Sequence, residues 1–233
     1  MHYSKKHNLL FVRIPKNVSS SMAAYLASNT ERVKGDISTG VPEIILPGYN
    51  ISTEVVDKFQ HDNRYMHLTL QEIVDNNVLS KETVLNSYNF GIIRNPLERQ
   101  LSLFFWIEYF RQDKKDTSPE HFRKRFSNGY DMLMHDGGSN KIKQVDYLKV
   151  DGEICGNFWA VQDIQAQLKS LREQHNFSET YPLLRLKDDS KPKDLTKEEL
   201  IEMYYDSATR QAVEEYYAED FEMLKKVSLP QGK

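Results

Sequence analysis

The sequence predicts an α/β fold, a single domain spanning 1–233 with a central parallel sheet of about four or five strands flanked by helices. Three observations carry that expectation. Two apolar runs, Leu9-Leu10-Phe11-Val12 and Phe90-Gly91-Ile92-Ile93, are too short for helices and suit strands buried on both faces. Each is followed by a turn and then a helix-forming segment, so strand and helix alternate along the chain. Finally, 233 residues with 39% hydrophobic content are enough to bury one good core.

Composition bounds the function. A formal net charge of −3 gives no overall field for nucleic acid or an anionic membrane, so a polyanion must meet a local basic patch. The one cysteine, Cys155, excludes an internal disulfide framework and a Cys-rich zinc site, and the sequence offers no clear metal cluster. No apolar stretch approaches a membrane span, and Met1-His2-Tyr3-Ser4-Lys5-Lys6 lacks a signal-peptide apolar region. A cytoplasmic protein is expected, with a lumenal fragment of an anchored enzyme as the alternative. The 13 tyrosines and 11% aromatic content argue against disorder.

In the first element, Pro15 stops the strand because it has no N–H for a sheet ladder. Lys16 follows on the turn, and Ser19-Ser20-Ser21 supplies N-cap residues for a helix through Met22 to Leu26. A strand, a turn carrying one lysine and a Ser-capped helix make an anion site, because free N–H groups and the helix dipole face the turn. A nucleotide phosphate is the first ligand to consider. The pattern G-x-x-x-x-G-K-[ST] is absent, since no glycine precedes Lys34.

Asn29 to Asn63 is rich in turn formers (Gly35, Gly40, Pro42, Pro47-Gly48) and reads as an insertion, either structural or a lid over the acceptor side. Arg64 to Leu68 reads as a short strand or extended piece. Thr69 then caps a brief helix, Leu70 to Asn76, with Glu72 completing a capping box. His67 thus lies between an extended segment and a helix start, where a side chain reaches a crevice; a structural role is its other reading. In the next element, Arg94 lies at the carboxyl end of Phe90–Ile93, and Pro96 opens a helix running to about Tyr109 or Arg111. Arg99 and Ser102 share a face of that helix. A strand-end Arg and a Ser on the following helix can hold one phosphate.

These residues carry a resemblance. Ile14-Pro15-Lys16-Asn17-Val18-Ser19-Ser20-Ser21 resembles the 5′-phosphosulfate loop, roughly I-P-K-T-G-G-T-S, of sulfotransferases that use 3′-phosphoadenosine-5′-phosphosulfate (PAPS); Val18 and Ser19 stand where that pattern has glycines. Arg94-Asn95-Pro96-Leu97-Glu98-Arg99-Gln100-Leu101-Ser102 resembles their 3′-phosphate motif, R-N-P-x-E-R-x-x-S, particularly in the carbohydrate branch related to heparan and chondroitin enzymes. His67-Leu68-Thr69-Leu70-Gln71-Glu72 resembles the context of the His base in heparan 2-O-sulfotransferase-like members; other branches use a Glu, for which Glu54 and Glu72 are the nearby candidates. Further along, Gln144 and Tyr147 fit an N-x-x-x-Q-x-x-Y-L element, Phe158 to Val161 resembles a strand placed before a helix (Asp163 to Gln174), and Tyr217-x-x-Asp220-Phe221 resembles the closing helix.

The resemblance implies a P-loop-like sulfotransferase fold with PAPS at the strand carboxyl ends. It implies Lys16 and His67 as catalytic residues. Lys16, Asn17, Val18, Ser19, Ser20, Ser21, Arg94 and Ser102 would bind the donor. Lys191, in a loop with Lys187 and Ser190 (Lys187–Lys193), either joins them or belongs to a polar surface. The implied reaction is in-line transfer of a sulfuryl group to an acceptor hydroxyl, most simply on a glycan, with adenosine 3′,5′-bisphosphate leaving and no metal needed. A nucleotide-dependent, kinase-like phosphotransferase and a non-catalytic nucleotide- or glycan-binding module remain as alternatives. Phe104-Phe105-Trp106 reads as core, with acceptor stacking as its other reading. The charge run from Arg111 to Arg125 reads as a solvated face, or else as a patch for an anionic glycan. Tyr204 to Lys225 reads as one long amphipathic helix.

Overall fold

The computed structural model describes residues 1–30, 67–110, 116–127, 142–179, 183 and 194–228. Most of the expected insertion (31–63), the Arg64–Met66 part of the expected strand, Glu54, Lys187, Ser190 and Lys191 lie outside the described residues.

A four-stranded sheet carries the molecule, in the order β1 (His2–Ser4), β2 (Leu9–Val12), β3 (Tyr88–Ile93) and β6 (Asn157–Ala160). β2 (Leu9–Val12) and β3 (Tyr88–Ile93) run parallel, with Phe11 opposite Phe90 and Val12 opposite Gly91. β6 (Asn157–Ala160) lies parallel to β3 on its other side. β1 (His2–Ser4) is antiparallel to β2, so the sheet is mixed where a parallel one is expected. His2-Tyr3-Ser4 carries no apolar run to announce it; a tight turn through Asn8, at φ 50°, folds it back on β2. Another element without an apolar run is the hairpin β4 (Lys149–Val150) and β5 (Glu153–Ile154). Its turn is Asp151-Gly152, both at positive φ, a pair that favours such turns.

Alternation along β2 sends Leu10 and Val12 into one apolar layer, and Leu9 and Phe11 into the other. Both layers are covered. Helix α1 (Ser19–Thr30) buries Met22, Tyr25 and Leu26 against Leu9, Phe11, Phe90 and Trp159, together with α6 (Ile164–His175). The opposite layer takes Leu70 and Ile73 of α2 (Leu70–Asp75), Val84 of α3 (Lys81–Asn86), and Val145, Tyr147 and Leu148 of the 3₁₀ turn Gln144–Leu148. Helix α2 begins as the sequence requires: the Thr69 hydroxyl accepts the Glu72 N–H, and the Glu72 carboxylate accepts the Thr69 N–H.

A third cluster is wholly helical. Leu97, Leu101, Phe104 and Phe105 of α4 (Pro96–Phe110) pack with Phe122 of α5 (Pro119–Ser127). They meet α7 (Lys197–Tyr204), α8 (Ser207–Tyr216) and Tyr217. The expected long helix from Tyr204 to Lys225 is therefore three pieces, the last being α9 (Ala218–Ser228). Asp206 makes the first break, since its side chain caps α8 by accepting the Thr209 N–H while Tyr205 is extended. The expected solvated face also fails in part. Arg125 is buried in an ion pair, 2.9 Å from the buried Glu108 carboxylate of α4, because α5 docks on α4 through Phe122.

Candidate active site

The loops after β2 and β3 leave the same edge of the sheet because the strands are parallel neighbours. After β2 the chain turns through Pro15 to Val18. Lys16 and Val18 both have left-handed backbone, at φ 65° and 60°. For a β-branched residue that conformation costs on the order of 1–2 kcal/mol. The Val18 carbonyl accepts the Met22 N–H at 3.0 Å, the first helical bond of α1. Val18 thus holds the cap position, and Ser19, Ser20 and Ser21 form the first turn instead of capping it. The N–H groups of that turn have no acceptor within the helix, which is what favours an anion there.

Asn17 is fully buried and faces the sheet. Its amide donates to the Ile92 carbonyl of β3 at 2.7 Å and to Oε1 of Gln144. Direct pairing of the two strands ends at Val12 and Gly91, and this side chain carries the connection one residue further. Gln144 is the hub. Its Oε1 also accepts the Arg94 N–H at 3.0 Å, and its Nε2 donates to the Arg94 carbonyl at 2.9 Å and to Asp220 at 3.1 Å. The buried Asp220 carboxylate of α9 accepts the backbone N–H groups of Gln144 and Val145, each at 2.9 Å. Burial raises the Asp220 pKa, against the pull of these hydrogen bonds and of Arg99. One polar clamp therefore fixes the lysine loop, the end of β3 and the last helix together.

Four cations converge on the clamped loop. Arg94 Nη1 reaches the Lys16 carbonyl at 3.4 Å, while its Nε and Nη2 lie 2.9 Å from Glu98. Arg99 is 1% exposed; its Nε donates to the Pro15 carbonyl at 3.2 Å, and its Nη2 is a buried donor with no acceptor among the described residues. Arg13 Nη2 lies 3.5 Å from the Ser20 hydroxyl. The Lys16 ammonium rests 5.0 Å from the centre of the Trp106 ring.

His67 stands beside this group. Its Nδ1 is 2.6 Å from the Arg13 carbonyl, which can only accept, so the proton is on Nδ1 and the lone pair on Nε2. Burial pulls its pKa down to about 4; the Arg13 carbonyl opposes that shift and the Arg13 charge adds to it. At neutral pH it is an uncharged imidazole.

The structure thus gathers Lys16, Asn17, Val18, Ser19, Ser20, Ser21, Arg94 and His67 around one loop. Ser102 is half-buried on α4, one turn before the Trp106 that carries Lys16. Glu72, an alternative base, has its carboxylate engaged in the α2 cap. Trp106 differs from the buried Phe104 and Phe105 beside it, being half-buried with a cation on its face. The sequence reading missed Arg13 and Glu98 as parts of the site, though both sit inside the stretches that define it; nothing in their spacing marks them. A family model described as the Sulfotransferase family matches residues 1–226. No curated protein and no solved structure matches the chain.

Proposed function

The chain belongs to the sulfotransferase family and is a transferase of that class, and from that premise we propose that PAPS is its donor, a carbohydrate hydroxyl its acceptor and His67 its general base. The observation that supports the reading most is the convergence of Arg13, Lys16, Arg94 and Arg99 on the Pro15–Ser20 loop of a chain whose net charge is −3. A cage of three guanidiniums and an ammonium, in which Nη2 of Arg99 has no acceptor among the described residues, fits a polyanionic nucleotide.

In this reading the first turn of α1 and the loop hold the 5′-phosphosulfate, and Arg94 with Ser102 holds the 3′-phosphate. Lys191, outside the described residues, is the remaining candidate contact. The bound donor supplies an activated sulfuryl group. His67 accepts the acceptor hydroxyl's proton at Nε2, with its ring held by the Nδ1–H bond to Arg13. Lys16 leaves the Trp106 face and neutralises the charge that builds on the departing bridging oxygen. Positioning and fixed charge provide most of the acceleration.

A thermal-shift titration tests the donor. Adenosine 3′,5′-bisphosphate is expected to raise the melting temperature saturably, AMP much less, and the rise is expected to vanish in Arg94→Ala. A response to ATP·Mg alone would favour a phosphotransferase, and no response to any nucleotide would favour a glycan-binding module.

A further inference from the structure

Arg94 meets a carboxylate of its own chain. Its Nε and Nη2 both lie 2.9 Å from Oε2 of Glu98, one turn along α4. The same oxygen is 3.3 Å from Nζ of Lys197, the first residue of α7. Arg94 and Glu98 are largely buried, with 12% and 16% of their side chains exposed, and Lys197 is half exposed. Leu101, Phe105 and Leu200 line the groove beneath them. A single oxygen at the focus of a guanidinium from the β3–α4 junction and an ammonium from α7 has the surroundings of a phosphate oxygen.

We propose that Glu98 is an internal substitute for the nucleotide 3′-phosphate and that Lys197 is a second cation of the same subsite. The proposal rests on the donor reading given above. A phosphate entering between Arg94 and Lys197 brings up to two negative charges within a few ångströms of the Glu98 carboxylate. Both anions cannot share the cations without repulsion, so Glu98 swings out as the phosphate enters and returns as it leaves. The two cations are therefore neutralised with or without nucleotide, and the carboxylate competes with the phosphate at every turnover.

Calorimetric titration of the full chain with adenosine 3′,5′-bisphosphate and, separately, with AMP tests this. Glu98→Gln keeps the shape and removes the charge. It is expected to tighten the bisphosphate about three- to tenfold and leave AMP unchanged, and Lys197→Ala to weaken the bisphosphate by about as much, again sparing AMP. Glu98→Ala repeats the first measurement with the carboxylate removed, and thermal melts confirm that each variant is folded. Bisphosphate affinity equal or weaker in both Glu98 variants would assign that residue to holding Arg94 in place and overturn the proposal. An unchanged affinity in Lys197→Ala would also overturn it. These failures differ from failure of the donor reading, in which the unaltered protein itself would not prefer the bisphosphate to AMP.

Discussion

Two residues show how much chemistry rests on single side chains. His67 titrates near 6.5 when unperturbed, but burial beside Arg13 takes it to about 4. A base must be unprotonated to work, so the acid limb of kcat/KM for the free enzyme is expected near pH 4, not near 6.5. His67→Ala is expected to lower kcat by at least about 100-fold, the usual reach of a positioned base, with a cooperative thermal melt confirming that the variant is folded. A pH–rate profile with its limb at 6.5, or wild-type turnover in the alanine variant, would remove His67 from the role. Val18 makes the second case. Glycine ordinarily costs a folded chain more than alanine, but at φ 60° the order reverses. Both substitutions lose the Val18 contacts with the Leu9–Trp159 layer, so the difference between them isolates the backbone. Val18→Gly is expected to be more stable than Val18→Ala by about 1 kcal/mol in urea unfolding. The Ile14–Ser21 motif locates the loop but not this strain, because valine in its glycine position gives no sign of whether the loop straightens or keeps its turn.

At the scale of elements, the clamp from Asn17 through Gln144 to Asp220 is what makes separate pieces into one site. Asp220→Ala would leave the Gln144 and Val145 N–H groups buried without an acceptor, at about 1–3 kcal/mol each. A loss of roughly 3 kcal/mol in denaturant unfolding is expected, with nucleotide binding lost alongside; a change below 1 kcal/mol would mean the clamp is dispensable. Local patterns made much of this scale legible. Strands β2 and β3, the Thr69 capping box and the Pro96 helix all stand where their residues put them, because each depends on neighbours within a few positions. Gln144 and Asp220 stand out as motif members, yet what joins them to Asn17 is tertiary, and no local pattern carries it. The same limit explains Arg125, whose burial depends on Glu108 of the preceding helix packed against it, and β1, whose pairing depends on β2.

The whole molecule has an acid weakness built from one buried and one half-buried imidazole. His2, bonded to the Thr30 hydroxyl at 3.1 Å, is taken down to about 3 chiefly by burial, and His67 to about 4. Unfolded, each titrates near 6.5, so below that pH the unfolded chain binds more protons than the folded one. Stability is therefore lost as pH falls from 6.5 towards the folded values, at about 1.4 kcal/mol per pH unit for each histidine. At pH 5 that comes to about 2 kcal/mol for each. The melting temperature is expected to fall steadily between pH 7 and 5, and His2→Gln to flatten the slope by about half. A melting temperature independent of pH over that range would show that neither imidazole stays neutral in the folded state. At this scale the sequence showed the alternation of strand and helix, and with it the crevice at the strand ends. The helical layer of α4, α5, α7 and α8 could not be read the same way, since its breaks come from caps such as Asp206 within an unbroken amphipathic pattern.

The order of the clamp along the chain also bears on biosynthesis. A ribosome adding about 5–20 residues each second delivers the lysine loop roughly 10–40 s before the aspartate that anchors it. In that interval a nascent chain carries the charges of the site without the carboxylate that anchors Gln144. If the donor is the proposed one, its capture waits for the last helix, and a product of premature termination upstream of Asp220 would lack the anchor of the site.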